Sequence, residues 1–407
     1  MGGIMRLAVG VLCAAQFMLI VDVVVLNVAL PSIQHGLAIP EGQLALAGVL
    51  YTLTFGLLLI AGGRAGDVYG RLRVFQIGLG VFTLASALAA IAQAPWQLFA
   101  SRALQGVGAA MVSPNTLALV TAMFEEGEKR NRVLGFWGAT GSIGAISGQL
   151  IGGVLTEFLG WRSIFLINIP IGVAGMLIAA RVLTESRGGS PIRAAVRALS
   201  GNKAVQTGNV VLALIAGTTA ATLFFSTLYL QGPLGYSPMA VGFGFAPVTV
   251  VVLLVSPLAG RLVGKLGARN LMLCGTILSA AGMAYLALID SNGNYFADVL
   301  PGLLAVAAGN GLAFAPTMIT ATTGVAADDQ GLAYGVLNTS QELGTAAGMA
   351  VITGIATAVG AGIGGYQVGY LVAAGLVALA AVVALRTPGT VGRPALTEPA
   401  ERARIDT

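Results

Sequence analysis

Charge is what this sequence most lacks. Only 9% of its 407 residues are charged, against roughly 25% in a soluble domain, which excludes a water-facing globular surface. One histidine and two cysteines give no basis for a metal site or a disulfide framework. His35 lies in a polar loop, and Cys13 and Cys274 both sit within apolar runs. No polar stretch is long enough for a separate catalytic or ligand-binding domain. The first apolar run, 7–30, is too long for a signal-peptide core, and no small-residue cleavage site follows it. It is expected to stay as a first span. The net charge of +5 would suit nucleic acid, but its distribution denies that partner. Every Lys and Arg except Arg102 and Arg162 falls in segments that the span pattern puts on one side of a membrane, so the basic excess is an orientation signal.

What fills the chain is apolar: 56% hydrophobic residues, a mean hydropathy of +0.87 and 58 glycines, the last suited to close helix packing in lipid. Runs near the ~20 residues needed to cross a bilayer fall at about 7–30, 43–62, 74–93, 96–123, 133–156 and 163–183. A second set falls at about 208–231, 239–260, 270–289, 298–322, 332–358 and 365–386. The pattern predicts an all-α membrane protein, with twelve transmembrane helices in two pseudo-symmetric six-helix bundles. The first bundle covers 1–183 and the second 208–386. Between them, 184–207 reads as a cytoplasmic linker carrying Arg187, Arg193, Arg197 and Lys203, with a surface helix at 191–200. The segment 387–407, rich in Pro, Glu and Arg, reads as a disordered cytoplasmic tail.

A compact charged turn, Gly63-Arg64-Ala65-Gly66-Asp67-Val68-Tyr69-Gly70-Arg71-Leu72-Arg73, separates spans 2 and 3. Most of it returns as Gly260-Arg261-Leu262-Val263-Gly264-Lys265-Leu266-Gly267-Ala268-Arg269. Gly63 and Gly70 fall on Gly260 and Gly267, and Arg64 falls on Arg261, while Asp67 meets Gly264. The echo marks two halves with the same hairpin. Two such halves can rock about a site at the membrane midplane, which is the physical design of a secondary transporter.

Several stretches, in order, resemble the major facilitator superfamily in its drug:proton antiporter branch. The charged turn is similar to the superfamily's loop signature. Span 1 carries Asp22-Val23-Val24-Val25-Leu26-Asn27-Val28-Ala29-Leu30-Pro31, similar to the branch's first-span motif with Val24 for its usual Thr. Span 4 carries Arg102-Ala103-Leu104-Gln105-Gly106-Val107-Gly108-Ala109-Ala110. Span 6 opens on Trp161-Arg162-Ser163-Ile164-Phe165-Leu166-Ile167-Asn168-Ile169-Pro170, similar to the branch normally built with fourteen spans. Span 5 has the antiporter glycines Gly135, Gly144, Gly148, Gly152 and Gly153, but Gln149 where the pattern has proline. The resemblance implies the major facilitator fold and export of an amphipathic small molecule from a bacterial-type inner membrane. It also implies energy from the proton gradient with no cofactor, both termini cytoplasmic, and a monomer. Gly63, Asp67, Gly70, Arg71 and Arg73 would form a latch on the cytoplasmic side. Gln149 leaves the direction of transport open.

Ionisable residues within spans are costly and point to function. Asp22 lies about 12 Å below the outer end of span 1, and Arg102 about 9 Å below that of span 4. The two can meet, either as a proton site or as a static ion pair joining the spans. Gln16 and Asn27 lie about 20° apart on a helical wheel, a stripe distinct from Asp22. Arg102, Gln105, Ala109 and Ser113 share a face of span 4. Asn338, Gln341, Glu342 and Thr345 form an i, i+3, i+4, i+7 stripe on span 11, with Glu342 about 15 Å deep. The branch usually has Arg-Gln where this chain has Gln341-Glu342. Glu342 is read as a second proton site, a partner for a cationic substrate, or a protonated structural acid. In span 10, Gly309-Asn310-Gly311-Leu312-Ala313-Phe314-Ala315-Pro316 is expected to weaken the helix, with Asn310 facing substrate. Phe224 and Tyr229 of span 7 are read as cavity walls or as plain aromatic packing.

The reading is a proton-coupled exporter whose site comprises Asp22, Arg102 and Glu342 for protons. Gln16, Asn27, Gln105, Gln149, Phe224, Tyr229, Asn310, Asn338, Gln341 and Glu342 are its substrate contacts. A proton-coupled importer or a lipid translocator is the alternative. A multispanning enzyme is remote, because the loop acids are clustered only at Glu125, Glu126 and Glu128, among basic residues.

Overall fold

The computed structural model describes residues 3–124, 127–188, 201–325 and 330–387. Half of the linker, including the surface helix expected at 191–200, and the tail beyond Thr387 therefore lie outside the described residues. Among the described residues twelve helical segments follow one another: α1 Gly3–Leu37, α2 Glu41–Tyr69, α3 Arg71–Ala90, α4 Pro95–Ala122, α5 Glu128–Leu159 and α6 Ser163–Val182, then α7 Lys203–Gln231, α8 Pro238–Leu266, α9 Ala268–Leu286, α10 Tyr295–Thr322, α11 Gln330–Val359 and α12 Ile363–Ala384. Ten of these are long and apolar enough to cross a membrane by themselves. The exceptions are α5, whose apolar part is Ile143–Leu159, and α9, which opens on Arg269 and Asn270.

Each turn follows from its residues. Gly70 adopts φ +110° between α2 and α3, and Gly267 adopts φ +81° between α8 and α9. A side chain is strained in either conformation, so the two glycines shared by the repeated turns do the same conformational work. Asn202 caps α7 by accepting from the Ala204 amide at 3.0 Å. Gln97 Oε1 reaches back to the Gln93 amide at 2.7 Å at the start of α4. α2, α6 and α8 are interrupted at Ala45, Ile167 and Phe245. By contrast, α10 continues through Pro316, against the expectation of a weakened helix. Packing outweighs propensity there. A Cβ at Gly309 would collide with the Gly275 carbonyl oxygen and one at Gly311 would stand 2.9 Å from Val255, so neighbouring helices hold this stretch in place.

The two bundles join at the face away from the N-terminus, called distal here. Gln231 Nε2 donates to the Val28 carbonyl at 2.7 Å, and the Met239 amide to Glu157 at 2.9 Å. The Gly362 amide reaches Glu41 at 3.5 Å. The seam continues inward where α2 meets α11 and α5 meets α8.

Candidate functional site

In the first bundle a polar cluster is sealed among five helices. Asp22 is 3% exposed and Arg102 0%. Arg102 Nη1 donates to Asp22 Oδ2 and, at 2.7 Å, to Gln105 Oε1, three residues on along α4. Asp22 Oδ1 accepts from Gln105 Nε2 at 3.0 Å and from Asn168 Nδ2 at 2.7 Å. Ser86 of α3 takes a second bond from Gln105 at 2.9 Å. Arg102 Nε donates to the Ala47 carbonyl at 3.0 Å, and its guanidinium carbon lies 4.5 Å from the centre of the Tyr51 ring. A buried ion pair is tolerable only when such hydrogen bonds satisfy its remaining groups. Asn168, early in α6, supplies one of them by donating to Asp22.

Ser86, Asn168 and Tyr51 were not assigned from sequence. Asn168 belongs to the motif Trp161–Pro170, but a neutral amide in a span gives no signal of its partner. Gln105 lies inside the sealed cluster at 0% exposure, bonded to Arg102, Asp22 and Ser86. Phe224 and Tyr229 also lie within packing. Phe224 is 2% exposed and meets Phe225 edge-on at 5.3 Å, and the Tyr229 hydroxyl donates to the Asp290 carbonyl at 2.7 Å.

The second bundle holds a neutral counterpart of the cluster. Thr219 stands where the repeat offset places Asp22. Asn310 Nδ2 donates to Thr219 Oγ1 at 2.8 Å, and Ser279 Oγ donates to Asn310 Oδ1 at 3.0 Å. Asn310 is thus engaged by its own bundle.

The seam between the bundles holds the other acid. α2 and α11 approach so closely that a Cβ on Gly56 would stand 2.9 Å from the Glu342 Cβ. Glu342, Gln341 and Thr345 are partly buried, and Asn338, a turn nearer the N-terminal face, is exposed. On the opposite seam, Gln149 accepts from Thr249 Oγ1 of α8 at 3.3 Å, and a Cβ at Gly242 would touch its carbonyl oxygen at 2.5 Å. The branch's proline position is therefore a contact between halves here. Gln16 Oε1 is buried with no hydrogen-bond partner, and Asn27 is partly buried.

At the N-terminal face, Arg71 Nη2 pairs with Asp67 at 3.0 Å within the charged turn, and a Cβ on Gly63 would stand 3.4 Å from the Pro114 Cβ. Glu185, beyond α6, accepts from the Leu72 and Arg73 amides at 2.9 and 3.1 Å. This caps the start of α3, where a carboxylate also complements the helix dipole. Glu185 was not assigned from sequence, because its partner is the backbone over a hundred positions away.

Comparison with known proteins agrees with this architecture. Residues 12–349, and again 210–406, match the family described as the Major Facilitator Superfamily. The chain is 33% identical to the cephamycin export protein CmcT of Amycolatopsis lactamdurans over 401 residues, 84% of this chain and 82% of that one. It is 33% identical to the puromycin resistance protein pur8 of Streptomyces alboniger over 406 residues, 85% of this chain and 81% of that one. Among solved structures, a bacterial homolog of the human lysosomal transporter Spinster, inward-facing and occupied, gives a TM-score of 0.79 at 17% identity. That likeness covers 97% of this chain and 100% of the other, and it speaks for the fold.

Proposed function

This chain belongs to the major facilitator superfamily, and from that premise we propose that it exports an amphipathic small molecule, of the size of an antibiotic, in exchange for protons. The observation that carries the reading is Asp22, an acid sealed at membrane depth and met by three side-chain donors. A proton arriving at this carboxyl takes the place of a donor, loosening the tie between α1 and the helices that hold Arg102 and Asn168. Its loss restores the tie. A group that binds protons and helix contacts alternately can couple one to the other.

The substrate face is the seam between the bundles. Glu342, with Gln341 and Asn338 on the same stripe, suits a cationic or weakly basic compound, because a carboxylate in a span needs a cation, a proton or water beside it. The protein works as a monomer in a bacterial inner membrane, both termini in the cytoplasm, with no energy source beyond the proton gradient. Relatives named for cephamycin export and puromycin resistance support this direction. Gln149, in place of the exporter proline, favours uptake as the second reading.

The test is transport in inverted membrane vesicles with an imposed pH gradient, acidic inside. Export in the cell appears there as accumulation of ethidium, a flat organic cation, when the gradient is formed. Loss of preloaded ethidium on forming the same gradient would favour uptake, and indifference to the gradient would remove the proton.

A further inference from the structure

The three bonds that close the distal face are of two kinds. Gln231, a neutral amide, donates to the Val28 carbonyl. The other two set a carboxylate of the first bundle on a backbone amide of the second: Glu157 accepts from Met239 at 2.9 Å and Glu41 from Gly362 at 3.5 Å. Met239 is the second residue of α8, and Gly362 directly precedes α12. Amides at a helix start have no acceptor within the helix, and a carboxylate there also meets the positive end of the helix. Neither acid forms an ion pair among the described residues. Arg162, the basic residue nearest to Glu157 in sequence, donates instead to the Ala92 carbonyl at 2.8 Å and lies over the Trp161 ring. The charge of both acids is thus answered by the second bundle.

Glycines beside each acid set the approach. One turn before Glu157, a Cβ on Gly153 would stand 2.8 Å from the Pro238 carbonyl oxygen and 2.9 Å from the Met239 Cα. A bare backbone at Gly153 lets α5 lie close enough to the start of α8 for Glu157 to reach it. Next to Glu41, a Cβ on Gly42 would meet Thr357, near the end of α11, at 3.8 Å. Past α11, Gly362 takes φ +77°, a conformation that favours glycine, and from this turn its amide reaches Glu41. The two contacts hold opposite edges of the distal face, α5 with α8 on one side and α2 with α12 on the other. At the N-terminal face the acids bind within their own bundle: Asp67 pairs with Arg71, and Glu185 accepts from the amides that open α3.

We propose that Glu41 and Glu157 are the residues that position the two bundles in the arrangement closed on the distal face, and that their charge sets how often this face opens. Without its charge, each side chain remains an acceptor on a helix start but holds it less tightly, because a hydrogen bond to an ionised acceptor is the stronger kind. Both are positioning residues, acting through the bundles rather than on a substrate. The inference rests on the exchange between two bundle arrangements that the proposed transport requires, and on neither the proton nor the substrate.

The experiment uses the full chain in lipid nanodiscs, in a variant lacking Cys13 and Cys274. Spin labels sit on His35→Cys at the end of α1 and on Ser291→Cys between α9 and α10, both exposed and one in each bundle. Pulsed electron resonance then reads the populations of a short, distal-closed distance and a longer, open one. Glu41→Gln with Glu157→Gln keeps the size and the acceptor oxygens of both side chains and removes both charges. The expected result is a roughly fivefold rise in the ratio of open to closed, the scale of two charges at helix starts. The thermal midpoint should stay at the wild-type value. Such charges are screened by salt, so raising the salt should narrow the difference between wild type and variant. Gly153→Leu, which wedges α5 from α8 whatever the charge, serves as the control that opens. Unchanged populations in the glutamine variant, while Gly153→Leu opens, overturn the inference. A lower thermal midpoint with unchanged populations makes the two acids structural and overturns it as well. A single distance in every variant, Gly153→Leu included, would instead overturn the exchange of arrangements beneath it.

Discussion

In the proposed reading, Glu342 is the side chain with most influence on substrate choice. A carboxylate at mid-membrane costs ~2.5–3.5 kcal/mol on insertion scales, and its neighbours Gln341 and Asn338 bring no charge. The proposed partner is an organic cation. Glu342→Gln should weaken ethidium binding roughly tenfold, about 1.4 kcal/mol, and leave a neutral aromatic of similar size nearly unaffected, as read by equilibrium titration of the purified protein. Equal effects on both would mark a structural acid. Within the sealed cluster, Asn168→Leu removes one of the donors to Asp22 and should cost about 1–3 kcal/mol, visible as a lower thermal midpoint. Asp22 and Arg102 were legible in the sequence because charges in apolar runs are rare. Ser86, Asn168 and Tyr51 were not, since neutral polar residues are common in helices and tertiary packing picks their partners. The Gln105 partners Asp22 and Ser86 were not legible for the same reason: a helical wheel gives a direction without saying what lies there.

Helices were legible as apolar runs, and the two repeated turns were legible as glycines at matching positions. The interruptions at Ala45, Ile167 and Phe245 left no trace in hydropathy, because each is a single residue that stays close to helical geometry and leaves the run's composition unchanged. The Gly- and Pro-rich stretch of α10 misled in the other direction, being helical through contact with α8 and α9. Close packing also predicts which glycines are indispensable. A Cβ at Gly62 would collide with the Ala110 carbonyl oxygen of α4, whereas one at Gly264 meets nothing within 4 Å. Gly62→Ala should force α2 from α4 at a cost of about 1–3 kcal/mol. Gly264→Ala, inside a helix, should be neutral or stabilising by up to about 1 kcal/mol. Thermal unfolding in detergent compares them directly, and a milder effect at Gly62 than at Gly264 would contradict the packing.

For the whole molecule, exchange between two arrangements of the bundles requires the distal seam to open. A Cβ at Gly42 of α2 would stand 3.8 Å from the Thr357 Cβ of α11, within the usual disulfide range of about 3.5–4.5 Å. In a variant lacking Cys13 and Cys274, Gly42→Cys with Thr357→Cys should form a bridge on mild oxidation. Transport should stop and return with reductant. Continued transport with the bridge intact would mean that the distal seam does not separate. The central claim is that Asp22 exchanges the protons, and proton movement itself tests it most directly. Proteoliposomes holding a trapped pH dye and a preformed ethidium gradient should show wild-type protein moving protons against ethidium. Asp22→Asn, which keeps the shape of the side chain, should move none while still binding ethidium. Proton movement by Asp22→Asn at the wild-type rate would contradict the account.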